Sequence, residues 1–175
     1  MWPRFNRILY LTNLGPEASY VFRHALSMAE HYNADVYLLH VVEPLSDNVK
    51  GLVEFFITDE QLQQQRQEAL SFVTDKVYKR LSNFCARETC KLDSHVPDPV
   101  KEIRVREGYV TETIMAEAKA IGADLIVMGT HRKLREGGRK FLGSTARSVV
   151  NHAKIPVMTI YTPREKFEDL NGEQT

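Results

Sequence analysis

Short, continuous apolar runs alternate along the chain with segments whose apolar residues recur every three or four positions. The runs at Arg7–Thr12, Asp35–Val42, Asp124–Met128 and Ile155–Tyr161 predict strands that are buried on both faces. A further strand is predicted at Lys101–Glu107, where apolar and charged residues alternate, so it is expected nearer the edge of the sheet.

The helical spacing between these runs predicts the segments that connect them. Helices are expected at Glu17–Tyr32, Asp59–Leu81 and Thr111–Ile121, and another from Gly143 to about Ala153. Strands that alternate with helices predict an α/β fold, with a parallel sheet and helices on both of its faces. In such a sheet a ligand binds beyond the carboxyl ends of the strands, where the strand order reverses.

Three segments fall outside this alternation. The stretch Asn83–Val100 is predicted to be irregular because it contains two prolines. The apolar segment Gly51–Ile57 is compatible with a flap over the site, a dimer contact or simple core packing. We expect one domain over residues 1–163, followed by a polar tail at 164–175.

Bulk composition excludes several classes of protein. The chain has 175 residues, of which 43% are hydrophobic and 26% charged, an ordinary globular balance. Its 23 basic and 23 acidic residues cancel, so general binding to nucleic acid is not expected. No apolar run approaches the roughly 20 residues that span a membrane, and the first residues lack the layout of a signal peptide. A cytoplasmic location is therefore predicted.

The cysteines and histidines give no sign of a metal site. The chain has two cysteines, Cys85 and Cys90, and neither their number nor their spacing suits a zinc site, so we expect two ordinary thiols. His40 is predicted to be a satisfied histidine in the second strand. His131 is predicted to be an exposed loop residue, with a contact to phosphate as the alternative. No nucleophile, base and acid form a recognisable catalytic set, so the sequence assigns no catalytic residue.

The most distinctive segment follows the strand that ends at Met128. Gly129 leads into a basic, glycine-containing loop, and Gly143, Ser144 and Thr145 then open a helix whose free N–H groups favour an anion. The loop and helix carry several cations: Arg132, Lys133, Arg135, Arg139, Lys140 and Arg147. A polyphosphate suits this environment, although a solvated basic loop with an ordinary helix start remains the alternative. The segment matches neither a Walker A loop nor the dinucleotide glycine pattern.

These residues resemble the universal stress protein family. Its phosphate loop has glycine, two residues, glycine, nine residues and then Gly-Ser/Thr, and Gly129 and Gly143-Ser144 match the ends of that pattern. The segments RILYLTNLGPEAS, DVYLLHVVEP, GADLIVMGTHR and AKIPVMTIY also look like the family. The likeness extends from about Arg7 to Tyr161.

The resemblance implies a Rossmann-like fold similar to that of adenine nucleotide alpha hydrolases, with five parallel strands in the order 3-2-1-4-5. It also implies a homodimer through the last strand, Ile155–Tyr161, and ATP at the switch point, with Mg²⁺ or Mn²⁺ carried by the phosphates. The residues that the resemblance places at the nucleotide are Thr12, Asn13, Val41, Met128, Gly129, Arg132, Gly143, Ser144, Thr145 and Ala146.

The sequence departs from the family pattern at three points of this site. Asn13 replaces the usual Asp, Arg132 replaces the second loop glycine, and the loop is one residue longer than the pattern.

Three functions follow as hypotheses. The first is an ATP-binding regulatory protein of the stress response that acts on an unknown protein partner. The second is a dimeric member that binds no nucleotide and acts through protein contacts. The third is a weak ATPase.

Overall fold

The computed structural model describes residues 2–44, 59–90, 98–130, 132–134 and 140–162. The predicted segment 51–57 and the predicted tail at 164–175 lie outside these ranges. In chain order, the elements are β1 (Arg7–Leu11), α1 (Ala18–Tyr32), β2 (Asp35–Val42), α2 (Asp59–Thr89), β3 (Val100–Glu107), α3 (Val110–Ile121), β4 (Leu125–Thr130), β5 (Arg132–Leu134), β6 (Lys140–Leu142), α4 (Ser144–His152) and β7 (Val157–Tyr161).

Five of the strands form one parallel sheet in the order β3-β2-β1-β4-β7, which confirms the predicted topology. Strand β1 lies at the centre, where Ile8 pairs with Val36 of β2 on one side and with Leu125 of β4 on the other. The chain builds the sheet outward from β1 in one direction and then crosses to build it in the other. The strand order therefore reverses between β1 and β4.

Helices cover both faces of this sheet. On one face, α1 and α2 bury alternate strand residues in a cluster that includes Phe22, Leu38, Phe84 and Val127. On the other face, α3 and α4 pack against the intervening strand residues. Because both faces are covered, the central strands are apolar at nearly every position, which is why they appear in the sequence as continuous runs.

Several element boundaries differ from the sequence prediction. Helix α2 continues to Thr89, so Asn83 to Thr89 are helical where an irregular segment was expected. Leu81, Phe84 and Cys85 are buried at helical spacing against α1 and the sheet, and this packing extends the helix. Strand β4 also extends further, to Thr130, and the loop that follows contains an antiparallel hairpin of β5 and β6.

The C-terminal ends of α1 and α3 lie at the predicted residues, Tyr32 and Ile121. Helix α3 ends at Gly122, whose φ of +64° lies in the left-handed region that glycine adopts without a steric penalty. The Gly122 N–H donates back to the carbonyl oxygen of Lys119 at 3.1 Å, and the Ala123 N–H donates to that of Ala118 at 2.8 Å. Asn33 ends α1 in the same conformation, as residues with a short polar side chain often do.

The two thiols differ in environment. Cys85 is buried, and burial raises the pKa of its thiol to about 12, with a smaller contribution from the charge of Asp98. Cys90 is exposed at the end of α2. Within the described residues, no helix is long and apolar enough to cross a membrane.

The central sheet should be sensitive to small losses of volume. Val127 is fully buried in β4, and its replacement by alanine removes two methyl groups and leaves a cavity. We expect Val127→Ala to lower the free energy of unfolding by about 2–3 kcal/mol. Val73→Ala on α2 is the matched control, because Val73 is 41% exposed, and it should change stability by less than about 0.5 kcal/mol. Urea unfolding of both variants measures the difference, and equal losses would contradict the assignment of the core.

Candidate functional site

A cavity of about 590 Å³ opens at the carboxyl ends of the strands, at the point where the strand order reverses. Its volume falls within the range of small-molecule sites in proteins. The ends of β1, β2 and β4 and the starts of α1, α3 and α4 form its walls. The lining residues are Tyr10, Leu11, Thr12, Asn13, Glu17, Ala18, Val21, Leu39, His40, Val41, Val42, Glu43, Val110, Ile114, Met128, Gly129, Thr130, Gly143, Ser144, Thr145 and Ala146.

The structure brings together all of the residues predicted for the site except Arg132, although they come from segments far apart in the chain. Strand β1 leads to two of them, β2 supplies one, β4 supplies two and the start of α4 supplies four. Arg132 begins β5, and its side chain lies outside what the structure describes. Among the six basic residues that the sequence places in the loop and helix, Arg147 is the one whose side chain the structure describes. It is exposed on α4.

The turn after β1 is held by its own side chains. The hydroxyl oxygen of Thr12 accepts a hydrogen bond from the Leu14 N–H at 3.0 Å, and Oδ1 of Asn13 accepts one from the Gly15 N–H at 2.9 Å. Leu14 has a φ of +57°, a left-handed conformation that these two bonds support. Because the Gly15 N–H can only donate, the oxygen of Asn13 must face it. The Nδ2 amide of Asn13 is then the group left to contact a ligand.

Strand β2 fixes the same turn from the side. Nδ1 of His40 lies 2.8 Å from the carbonyl oxygen of Thr12. A carbonyl oxygen only accepts, so Nδ1 carries the proton and donates it. The Thr12 N–H is also bonded, to the carbonyl oxygen of Leu39 at 3.1 Å. His40 is therefore a satisfied strand-end histidine, as predicted, and it also lines the cavity.

The start of α4 presents unpaired backbone donors to the cavity. Gly143 caps the helix with a φ of −53° and a ψ of 153°, and its carbonyl oxygen accepts the first helical bond from the Arg147 N–H at 2.9 Å. The N–H groups of Ser144, Thr145 and Ala146 precede that bond, so they have no partner within the helix. The helix dipole adds partial positive charge at this end, which favours an anion.

Two acidic residues, Glu17 and Glu43, also line the cavity. Glu17 is 8% exposed at the start of α1, and Glu43 follows the end of β2. The carboxylate of Glu17 lies above Gly15, where a Cβ atom would approach one carboxylate oxygen to within 2.8 Å. The cavity is therefore electrostatically uneven, with amide donors at α4 and carboxylate acceptors at α1 and β2. The described residues include no group of three or more His, Cys, Asp or Glu side chains that could hold a metal ion.

Gly129 has a packing role that its place in the sequence does not reveal. It lies inside β4 and pairs with Ile160 of β7, where the strand passes beneath α1. A Cβ atom at this position would lie 3.0 Å from Cγ2 of Val21. The absence of a side chain at position 129 therefore lets α1 pack closely on β4, whether or not a ligand is bound.

Sequence reasoning missed several residues that line the cavity. Val110 and Ile114 belong to it because α3 starts beside the end of β2, and nothing in their own segment indicates this position. Glu17 and Thr130 had a signal, since each is polar at a position that borders a buried element. A charged or hydroxyl residue next to a continuous apolar strand is a reasonable candidate for the rim of a site.

Comparison with known proteins identifies the family of the chain. The model of the universal stress protein family matches residues 4–160. The chain belongs to the universal stress protein family. Among curated relatives, universal stress protein A of Yersinia pestis is 26% identical over 169 residues, which cover 97% of each chain. Universal stress protein A of Escherichia coli strain K12 is 26% identical over 156 residues, covering 89% of this chain and 94% of that protein.

Solved structures of universal stress proteins share the fold. The protein UspA from Lactobacillus plantarum superposes with a TM-score of 0.66 at 22% identity, covering 91% of this chain and 99% of that one. A universal stress protein crystallised in complex with cAMP superposes with a TM-score of 0.56 at 15% identity, covering 91% of this chain and 98% of that one. At these identities the likeness concerns the fold of the chain.

The packing role of Gly129 can be tested without any ligand. We expect Gly129→Ala to lower the free energy of unfolding by about 1–3 kcal/mol, because the new methyl group crowds Val21. In a Val21→Ala background the same change should cost much less, since the crowding atom is gone. Urea unfolding of the two single variants and the double variant measures this coupling. A cost that is unchanged by Val21→Ala would contradict the packing explanation.

Proposed function

We propose that this member of the universal stress protein family binds an adenine nucleotide in the crevice between β1 and β4 and acts as a nucleotide-responsive regulator. One observation carries the proposal. The start of α4 lines the same cavity as the ends of β1, β2 and β4, so a single elongated ligand in that cavity would contact all of these elements.

The uneven charge of the cavity sets the direction in which the nucleotide lies. Its phosphates belong at the amides of Ser144, Thr145 and Ala146, where the helix end favours negative charge. Its sugar and base then extend toward β1 and β2, where Glu17 and Glu43 accept hydrogen bonds from hydroxyl or amino groups. The reverse orientation would bring the phosphates against these carboxylates. A divalent cation would accompany the ligand mainly on its phosphate oxygens.

The exchange of Asp for Asn at position 13 changes the hydrogen-bonding character of the sugar end. With Oδ1 of Asn13 bonded to the Gly15 N–H, the side chain offers the ligand a donor and no charge. It therefore suits an acceptor atom of the sugar or base. The family fold is compatible with adenylates, because one structural neighbour is described in complex with cAMP.

A second candidate function is a family member that acts through protein contacts alone. The observation that favours it is the same bond from Gly15 to Asn13, which satisfies the side-chain oxygen of Asn13 inside the turn. Arg132, in place of a loop glycine, also favours it because a side chain there obstructs close approach of the backbone to a phosphate. The two candidates make opposite predictions for nucleotide binding.

Replacement of Gly143 by valine should separate the two candidates. The φ and ψ of Gly143 suit a β-branched residue, so the helix start should persist while the side chain fills the space before the α4 amides. We expect wild type to release ATP or AMP on denaturation, detected by mass spectrometry, and to be stabilised by millimolar ATP with Mg²⁺. We expect Gly143→Val to lose both properties, and Gly143→Ala to have intermediate affinity.

The control for this experiment is the unfolding temperature of each variant without nucleotide, which should stay close to that of wild type. Sedimentation should also give the same oligomeric state for all three proteins, because Gly143 does not belong to β7. A wild type that carries no nucleotide and shows no thermal shift would leave protein contacts as the function. Unchanged affinity in Gly143→Val would refute the placement of the phosphates.

A second copy of the chain is the partner that we propose for β7. Among the described residues, this strand pairs with β4 along one side and has no strand on the other, so that side is an edge that can accept a strand. Large apolar side chains near this edge are exposed, Tyr161 by 44% and Val150 by 46%. Pairing of two β7 edges would cover them in a symmetric dimer.

The dimer should depend on Tyr161. We expect Tyr161→Glu to weaken self-association at least tenfold, since it places like charges across the proposed interface. Tyr78→Glu is the matched control, because Tyr78 is 48% exposed on α2, which packs against β3 at the opposite edge of the sheet. Sedimentation equilibrium measures both variants. A monomeric wild type, or equal association of the two variants, would overturn the proposal.

A further inference from the structure

We propose that the hydroxyl group of Thr130 is an additional phosphate contact, an assignment that rests on the proposed nucleotide function and deepens it. Thr130 is the last residue of β4 and lines the cavity beside the start of α4. In the family's phosphate-loop pattern, the position of Thr130 lies between the first two glycines, and the pattern specifies no residue type there.

The alternation of β4 places Thr130 on the α4 side of the sheet. Ile126 and Met128 pack in the cluster formed with α3 and α4, whereas Gly129 faces Val21 of α1. Two residues beyond Met128, Thr130 lies on the same face as Ile126 and Met128. Its side chain therefore lies on the side of the sheet from which the α4 amides enter the cavity.

The hydroxyl oxygen of Thr130 is buried without a hydrogen-bond partner among the described residues. The residue as a whole is 6% exposed, so solvent water does not reach the group freely. Most buried polar atoms in proteins have a partner, because an unpartnered one loses its bonds to water and gains nothing in exchange. We assign the missing partner to a ligand in the cavity that Thr130 lines together with the start of α4.

The carbonyl oxygen of Thr130, by contrast, has hydrogen-bond partners. It accepts two hydrogen bonds from Thr162, one from the backbone N–H at 3.0 Å and one from the hydroxyl at 3.2 Å. These bonds hold the end of β4 against the residue that follows β7. A rotation about χ1 can therefore turn the Thr130 hydroxyl toward a ligand while the main chain stays in place.

A phosphoryl oxygen is the atom that this hydroxyl would contact. The helix end beside it carries partial positive charge, so a cation is disfavoured there and an anionic acceptor is favoured. The hydroxyl donates its proton to that oxygen, and the α4 amides donate to others of the same phosphate chain. Donors from β4 and from α4 would then hold one phosphate group from two directions.

The test compares Thr130→Val, Thr130→Ser and a matched control, Thr162→Val, with the full-length wild type. Valine keeps the branched shape and removes the hydroxyl, whereas serine keeps the hydroxyl. Thr162→Val makes the same chemical change in a residue that is 1% exposed and whose hydroxyl is bonded within the protein. Unfolding temperature without ligand is measured first. Affinities for ATP with Mg²⁺ and for inorganic pyrophosphate are then measured by calorimetry.

Removal of an unpartnered buried hydroxyl should leave the unliganded protein as stable as wild type or more stable, while Thr162→Val should lower its unfolding temperature. The affinity of Thr130→Val for both probes should fall about tenfold or more, as expected for a lost hydrogen bond to a charged group. Thr130→Ser should bind within a few-fold of wild type.

Each contrary result has a distinct meaning. A lower unfolding temperature for Thr130→Val means that the hydroxyl has a partner within the protein, which overturns the inference. Unchanged affinity in Thr130→Val overturns it too, while the proposed function stands because wild type still binds. A wild type that binds pyrophosphate but not ATP refutes the proposal of an adenine nucleotide as ligand. The pyrophosphate affinities of the Thr130 variants then decide whether the hydroxyl contacts phosphate. A wild type that binds neither probe overturns both proposals.

Discussion

The structure depends on the burial of β1 on all sides. Its neighbours in the sheet are β2 and β4, and its two faces pack against helices on opposite sides, so Ile8 and Leu9 are both fully buried. Such a strand has no exposed face and must end in a turn that carries polar groups. That turn, from Thr12 to Gly15, lies where the strand order reverses, and it forms one wall of the cavity.

Hydrogen bonds from neighbouring elements make this turn rigid before any ligand arrives. His40 and Leu39 of β2 bond the main chain of Thr12, while the side chains of Thr12 and Asn13 bond the amides that follow them. Tyr10 anchors the next element, because its buried hydroxyl donates to the carbonyl oxygen of Ala18 at 2.9 Å. Burial raises the pKa of that phenol, so it remains a neutral donor.

The charge distribution of the cavity follows from the topology and not from the overall composition. The chain is neutral as a whole, yet parallel strands bring the start of α4 and the acids of α1 and β2 to the same edge of the sheet. Helix starts and strand ends coincide there in every parallel α/β sheet. The particular residues decide which part of that edge attracts a phosphate and which part attracts hydroxyl or amino groups.

The fold could be predicted from the sequence because its signals are local and strong. Continuous apolar runs marked the central strands, and Gly122 and Asn33 marked two helix ends. The prediction was wrong for the end of α2, where tertiary contacts of Phe84 and Cys85 extend the helix to Thr89. It was also wrong for the end of β4, since the pairing of Gly129 and Thr130 with β7 continues the strand through a glycine, a residue that is depleted in strands.

The sequence by itself determined the strand and helix pattern and the family resemblance, because periodicity and motif spacing depend only on neighbours along the chain. Through that resemblance it named nine of the 21 residues that line the crevice. Tertiary structure alone decided that Val110 and Ile114 join the site, that Gly129 serves helix packing, and that the Thr130 hydroxyl is buried. Those properties depend on which segments meet in space, and the spacing of residues along one segment does not encode the position of another.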